Sequence, residues 1–245
     1  MDKLKIPKNQ IRKLRTFSLG DKLSEFKDSN LQNGTFIDLC SNDYFGLSRD
    51  KEVIKKGYEV SLVEGLGAGS SRFITGTRPI HETLEKELAK WINKDKVFLF
   101  PSGFQANIAA MQVLADRESI VIADKLIHNS LLTGVKASGA KLVRFLHNNF
   151  LDLEKKISKY SLYDCHIVVV IESLYSMEGS IAPIDEITNI CKQYKVKLFV
   201  DEAHAIGILG PYGKGLTNKI SKNVSMISGT FGKSFGSGGA FLACD

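Results

Sequence analysis

The sequence predicts an α/β fold, a mainly parallel sheet flanked by helices. Three observations carry this reading. Short apolar runs rich in β-branched residues recur without polar alternation: KVFLF (96–100), SIVIAD (119–124), HIVVVIES (166–173) and KVKLFVDE (195–202). Such runs suit strands buried on both faces. Stretches with helical spacing lie between them, and that alternation is the pattern of βαβ units. Polar clusters stand at the carboxyl end of each run, the edge where open α/β sheets bind ligands.

Residues 1–38 read as an N-terminal arm and 39–245 as one large domain. Ile80, Leu84, Leu88 and Ile92 recur every four residues behind Pro79, which predicts a helix leading into KVFLF. FQANIAAMQVLADR follows Ser102-Gly103 and predicts a helix over Phe104–Arg117, apolar on most faces and therefore buried. SIVIAD and HIVVVIES come next. Pro183 and Asp185 mark a further helix start, with Ile187, Ile190, Cys191 and Tyr194 along it before KVKLFVDE. The last segment, SGTFGKSFGSGG (228–239), holds a lysine between glycines.

Composition narrows the function classes. At 245 residues and 43% hydrophobic content, the chain can bury a substantial core. Its 33 Lys+Arg against 27 Asp+Glu give +6, spread along the chain rather than gathered in a block, so no nucleic-acid partner is expected. Cys40, Cys165, Cys191 and Cys244 form no CxxC pair, which suggests neither a zinc site nor a disulfide framework and fits a reducing cytoplasm. The basic MDKLKIPKNQIRKLRTF start lacks an apolar core, Asp21, Glu25 and Asp28 argue against a transit peptide, and no run approaches a membrane span. A soluble protein without a membrane partner is expected.

Glycines around Lys233 allow close approach of the main chain to a ligand, so the lysine is either a phosphate-binding cation or a nucleophilic amine. A phosphate loop needs glycine five positions before Gly232, and that position is Ile227; the DEAH string at 201–204 also precedes the lysine instead of following it. Gly65, Gly67 and Gly69 begin a dinucleotide fingerprint that fails at Ser70, and His81-Glu82 would need a histidine where Glu85 stands. No metal is expected.

The amine reading needs a device to activate it, because a free lysine is almost wholly protonated at neutral pH. Pyridoxal 5'-phosphate provides one: lysine forms a Schiff base with it, and a carboxylate partners the ring nitrogen to keep the ring an electron sink. Asp201, ending a buried strand, suits that carboxylate role. Ser102-Gly103-Phe104 opens a helix whose free amides suit a phosphate, Thr230 lies three residues before the lysine, and His128 follows another strand where it could stack on the ring. Each residue alone also fits a plainer role: a strand-end Asp as a helix cap, a His as a core residue, Ser176 as a turn, Glu172 as an ion-pair partner. The ordered set SGF, His128, Ser176, Asp201, His204 and Lys233 at one sheet edge favours the cofactor reading.

SNDYFGLS (41–48), GAGSSRFITGTRPIHETLE (67–85), PSGFQAN (101–107), HNSLL (128–132), ESLYSMEGSIAPI (172–184), VDEAHAIGILGPYGKG (200–215) and SGTFGKSFGSGGA (228–240) together resemble the α-oxoamine synthases. These are fold-type I pyridoxal-phosphate enzymes, homodimers that condense an amino acid with an acyl thioester and release CO2. The resemblance implies that Lys233 holds the cofactor and later removes the amino-acid Cα proton, that Asp201 pairs with the pyridine nitrogen, and that His204 pairs with the phenolic oxygen. It further implies that His128 stacks on the ring, that Ser176 contacts cofactor or substrate, and that Gly103, Phe104 and Thr230 hold the phosphate. Asn42 would line the substrate site and Arg15 would meet an acyl-chain carboxylate. Within the family, SNDYFGL and the short arm resemble most the members that join alanine to a pimeloyl thioester, on coenzyme A or acyl carrier protein, in biotin synthesis. TGTRPIHETLE resembles the glycine-using members as well. The family pattern continues into a smaller C-terminal domain that supplies an arginine for the amino-acid carboxylate, and that region would lie beyond Asp245. The expectation is therefore either a fragment or a truncated member with an incomplete substrate site.

Overall fold

The computed structural model describes residues 14–20, 25–28 and 35–245. The chain divides into two units, Met1–Asn42 and Asp43–Asp245. In the first unit, β1 (Phe17–Leu19), β2 (Glu25–Asp28) and β3 (Thr35–Ile37) pair antiparallel in chain order.

The second unit opens with α1 (Lys51–Glu64), capped by Asp50, whose carboxylate accepts the Glu52 and Val53 amides at 2.9 and 3.0 Å. It continues through α2 (Pro79–Ile92), β4 (Lys96–Phe100), α3 (Gly103–Leu114), β5 (Ser119–Asp124), α4 (Asn129–Ser138) and β6 (Lys141–Phe145). After these come α5 (Phe150–Tyr160), β7 (His166–Glu172), α6 (Ile184–Gln193), β8 (Lys197–Asp201), β9 (Met226–Thr230) and β10 (Ala240–Cys244). Seven strands form one sheet in the order β4-β10-β9-β8-β7-β5-β6. β6, β5, β7, β8 and β9 run parallel, while β10 is antiparallel to both of its neighbours. The mainly parallel sheet expected from the apolar runs is thus present.

Alternate residues of the central strands feed two cores, as the strand period of two requires. Val169, Ile171 and Leu198 pack with Ile92, Leu153, Ile157 and Ile187 of α2, α5 and α6. Val168, Val170 and Phe199 pack on the opposite face with Ala106, Ala110, Met111 and Leu131 of α3 and α4. Both faces being covered explains why these strands read as continuous apolar runs. Among the described residues, no helix is long and apolar enough to cross a membrane.

Several boundaries differ from the sequence reading. α3 stops at Leu114, three residues short of Arg117, because Ala115 is extended and the Asp116 carboxylate builds a turn from the Ser119 hydroxyl (2.7 Å) and the Glu118 amide (3.0 Å). β8 begins at Lys197, since Lys195 adopts a positive φ of 54° that no strand accommodates. Of the stripe along α2, Leu88 and Ile92 are buried, whereas Ile80 and Leu84 stay partly at the surface.

The Gly-rich end of the sheet has two packing reasons. A side chain at Gly236, which has a φ of 59°, would strike the backbone of Leu47 and Ser48, so the lysine loop lies directly on that segment. A methyl at Gly229 in β9 would overlap the fully buried Phe241 ring of β10. Gly229→Ala is expected to lower stability by about 1–3 kcal/mol through overpacking, read as a lower urea midpoint at unchanged slope. A variant as stable as the parent would show that this contact is slack.

Candidate active site

Strand register builds the floor of the site. Glu172 of β7 stands opposite Asp201 of β8, which stands opposite Ser228 of β9, so three polar side chains form a row at the carboxyl ends of parallel strands. All three line a cleft of about 200 Å³. Gly103 and Phe104 at the head of α3, His128 at the head of α4 and Lys233 in the loop after β9 line the same cleft.

Asp201 is 5% exposed and well supplied with donors. Its Oδ2 accepts the Asn107 amide NH2 at 2.7 Å, and its Oδ1 accepts the Ala203 backbone amide at 2.9 Å. Asn107 in turn donates to the Ser130 hydroxyl at 2.9 Å, joining α3, α4 and β8 in one network. These donors fix the orientation of the carboxylate at the cleft.

Lys233 belongs to a second chain of contacts. Its Nζ lies 2.7 Å from His204 Nε2, and His204 Nδ1 lies 2.9 Å from the Tyr44 hydroxyl. Burial pushes His204 down to about 4, with the Lys233 charge adding to the effect, so the ring is neutral near pH 7. Lys233 then donates to Nε2, and the remaining ring N–H faces Tyr44. Burial also lowers the Lys233 amine, although Asp201 and Glu172 pull it the other way. A lysine so placed reaches its nucleophilic form more readily than an exposed one.

The head of α3 suits an anion. Ser102 takes the Gln105 amide with its side chain and the Ala106 amide with its carbonyl, leaving the Gly103 and Phe104 amides without a partner among the described residues. Free amides at a helix N-terminus are a ready phosphate seat. Thr230 also lines the cleft, but its hydroxyl is engaged in the loop itself, donating to the Gly239 carbonyl at 3.0 Å and accepting the Gly232 amide at 3.2 Å. It therefore braces the turn that carries Lys233.

These features together fit pyridoxal phosphate. Asn107 Oδ1 and Ser228 Oγ are buried polar atoms without a partner among the described residues, and both residues face the cleft. Buried polar atoms ordinarily find partners, so a ligand with its own polar groups belongs there. Among the described residues no group of His, Cys, Asp and Glu is arranged to hold a metal.

Seven of the sequence-predicted residues meet in this one cleft: Gly103, Phe104, His128, Asp201, His204, Thr230 and Lys233. Ser176 does not. It is exposed on the turn after β7 and is not part of the cleft lining, because the chain leaves the sheet after Glu172 and folds back through the Leu174–Ile181 bridge. Arg15 and Asn42 are exposed residues of the first unit, and the Arg15 guanidinium sits 5.2 Å from the Phe17 ring centre. The sequence reading gave no site role to Asn107, Ser130, Ser228 or Tyr44. Asn107 was within reach, lying one helical turn after Gly103, whereas Ser228 depends on a strand pairing that no local pattern reveals.

Residues 34–245 match the family model for class I and II aminotransferases, and the chain belongs to that family. It is 37% identical over 225 residues to the 8-amino-7-oxononanoate synthase of Haemophilus ducreyi, an alignment covering 87% of this chain and 58% of that protein. It is 36% identical over 207 residues to the serine palmitoyltransferase of Bacteroides thetaiotaomicron, covering 84% and 52% respectively. The solved structure of serine palmitoyltransferase from Sphingomonas wittichii superposes with a TM-score of 0.87 at 30% identity, over 94% of this chain and 57% of that one. The branch is that of the α-oxoamine synthases, and the chain spans little more than half the length of these relatives.

The depressed His204 sets a direction for pH dependence. Because its value falls from 6.5 unfolded to about 4 folded, the unfolded state takes up the proton first, and stability declines as pH drops between those values. A titration of the histidine ring signals by NMR should find His204 neutral down to about pH 4. Titration at its ordinary value would contradict the buried Lys233–His204 pairing. Asn107→Ala, which strips Asp201 of a charged hydrogen bond, should cost about 1.5–3 kcal/mol in chemical denaturation.

Proposed function

We propose that the cleft binds pyridoxal 5'-phosphate and that the complete protein condenses an amino acid with an acyl thioester, releasing CO2. Alanine and a pimeloyl thioester are the favoured pair, which would place the enzyme in biotin synthesis. The observation that carries this reading is the convergence of the Asp201 carboxylate and the Lys233 amine on one cleft that also receives two free helix amides.

When bound, the cofactor supplies an electron sink for negative charge at the substrate Cα. The protein's own groups do the rest. Gly103 and Phe104 amides hold the phosphate, Asp201 holds the ring nitrogen, His128 covers a ring face, and neutral His204 is placed to reach the phenolic oxygen. Lys233 would hold the cofactor covalently and, when its amine is free, would take the Cα proton; neutral His204, 2.7 Å from that amine and 2.9 Å from the Tyr44 hydroxyl, would keep it oriented. Roles for Asn42 and Arg15 in holding the substrate, the latter through an acyl-chain carboxylate, belong to the same proposal.

A second reading, serine with a longer acyl thioester, is favoured by the serine palmitoyltransferases among the relatives and solved structures. A homodimer in a reducing cytoplasm completes the proposal. The four cysteines are free, and α1 with the loop after it exposes Tyr58, Leu62, Val63, Phe73 and Ile74, apolar surface that a second copy would cover.

Borohydride reduction after incubation with pyridoxal phosphate, followed by peptide mapping, tests the core of this reading. The adduct should fall on the peptide containing Lys233 and vanish in Lys233→Ala. An adduct elsewhere, or none, would refute it. Comparing alanine, serine and glycine as substrates for the full-length protein then separates the branches.

A further inference from the structure

Glu172 ends β7 directly beside Asp201, and nothing in the chemistry above uses it. It nonetheless lines the same cleft and is 4% exposed. Its Oε1 accepts the backbone amide of His128, the residue that caps α4. The His128 ring is separately steered by its Nδ1, which lies 2.7 Å from the Ser130 hydroxyl and accepts the Ser130 amide at 3.2 Å. Backbone and ring of His128 thus have different anchors, and the backbone anchor crosses from one strand end to the head of a helix.

We propose that Glu172 is a positioning residue for the cofactor ring, its carboxyl clamping the His128 backbone and so fixing where the imidazole meets the cleft that Asp201 and Lys233 share. The inference rests on the function proposed above. Two buried carboxylates side by side strongly disfavour double ionisation. The charged and titratable groups facing Glu172 are Asp201 on β8, His128 at the head of α4, Lys233 after β9, Asp124 at the end of β5 and the buried Tyr175 on the turn after β7. Burial first, and then Asp201, push Glu172 up to about 8, against the opposing pull of the His128 amide and of Lys233. Near pH 7 the clamp therefore works as a neutral acceptor, and a glutamine can replace it.

The sign of its pH effect follows. Folding raises Glu172 from 4.5 to about 8, so its contribution to stability is complete below pH 4.5 and is lost as pH rises toward about 8. Glu172→Gln and Glu172→Ala in the full chain, compared with the parent, provide two readouts. The first is pyridoxal phosphate affinity. Gln should bind within about threefold of the parent and Ala about tenfold more weakly, because Ala leaves the His128 amide unpaired. The second is the thermal midpoint of the cofactor-free protein from pH 6.5 to about 8, above the range in which His204 acts, where Gln should decline less steeply than the parent.

Parent-like affinity in Ala, Ala-like affinity in Gln, or an unchanged pH slope in Gln would each overturn the proposal. If Ala fails to fold, the two Gln readouts decide. Failure of the parent itself to bind the cofactor would strike the function proposed above, whereas the difference in pH slope between Gln and the parent reports on Glu172 with or without cofactor binding.

Discussion

The register of three parallel strands is the constraint on which the site depends. Pairing Glu172 with Asp201 and Asp201 with Ser228 places all three side chains in one row at the end of the sheet. Because successive strand residues point to opposite faces, a slip of one position would turn every member of that row away from its neighbours. The apolar residues behind the row hold the register: Val168, Val170 and Phe199 go to one core, Val169, Ile171 and Leu198 to the other. Burial on both faces thus fixes the chemistry as well as the fold.

The row would be costly to build without partners, since buried charges must be paired or neutralised. The two carboxyls of the row, and a third beside them, meet that requirement differently. Asp201 draws donors from Asn107 and Ala203, Glu172 takes the His128 amide and rises to about 8, and Glu202, one residue on, turns inward to the Ser173 hydroxyl and the Thr217 amide. Nearby, Asp124 braces the loops around the site through the His147 ring, whose other nitrogen lies 2.7 Å from the Ser180 hydroxyl. The same burial that raises Glu172 and Glu202 depresses Lys233 and His204, which is the direction a lysine nucleophile needs.

Much of this was legible in the sequence, for a physical reason. Strands buried on both faces leave unbroken apolar runs, and their polar ends mark the ligand edge; hence Asp201, His128 and the head of α3 could be named from residue order. β6 escaped notice because KLVRF lies at the sheet edge, where Lys141 and Arg144 interrupt the apolar pattern. β9, MISGT, escaped because Gly229 and Ser228 answer to the Phe241 ring and to the cleft rather than to strand preference. Ser176 lies outside the cleft lining; sequence order locates the end of β7 but not the path of the turn that follows. The Tyr44–His204 contact joins residues far apart in the chain, and such pairings have no local signature.

The central claim is that Asp201 and Lys233 address opposite parts of a single planar cofactor. A crystal structure of the full-length protein with pyridoxal phosphate tests it most directly. The account predicts density continuous with Lys233 Nζ, the ring nitrogen about 2.6–3.2 Å from an Asp201 oxygen, and the phosphate on the Gly103 and Phe104 amides. A ring bound elsewhere, or one whose nitrogen points away from Asp201, would contradict it.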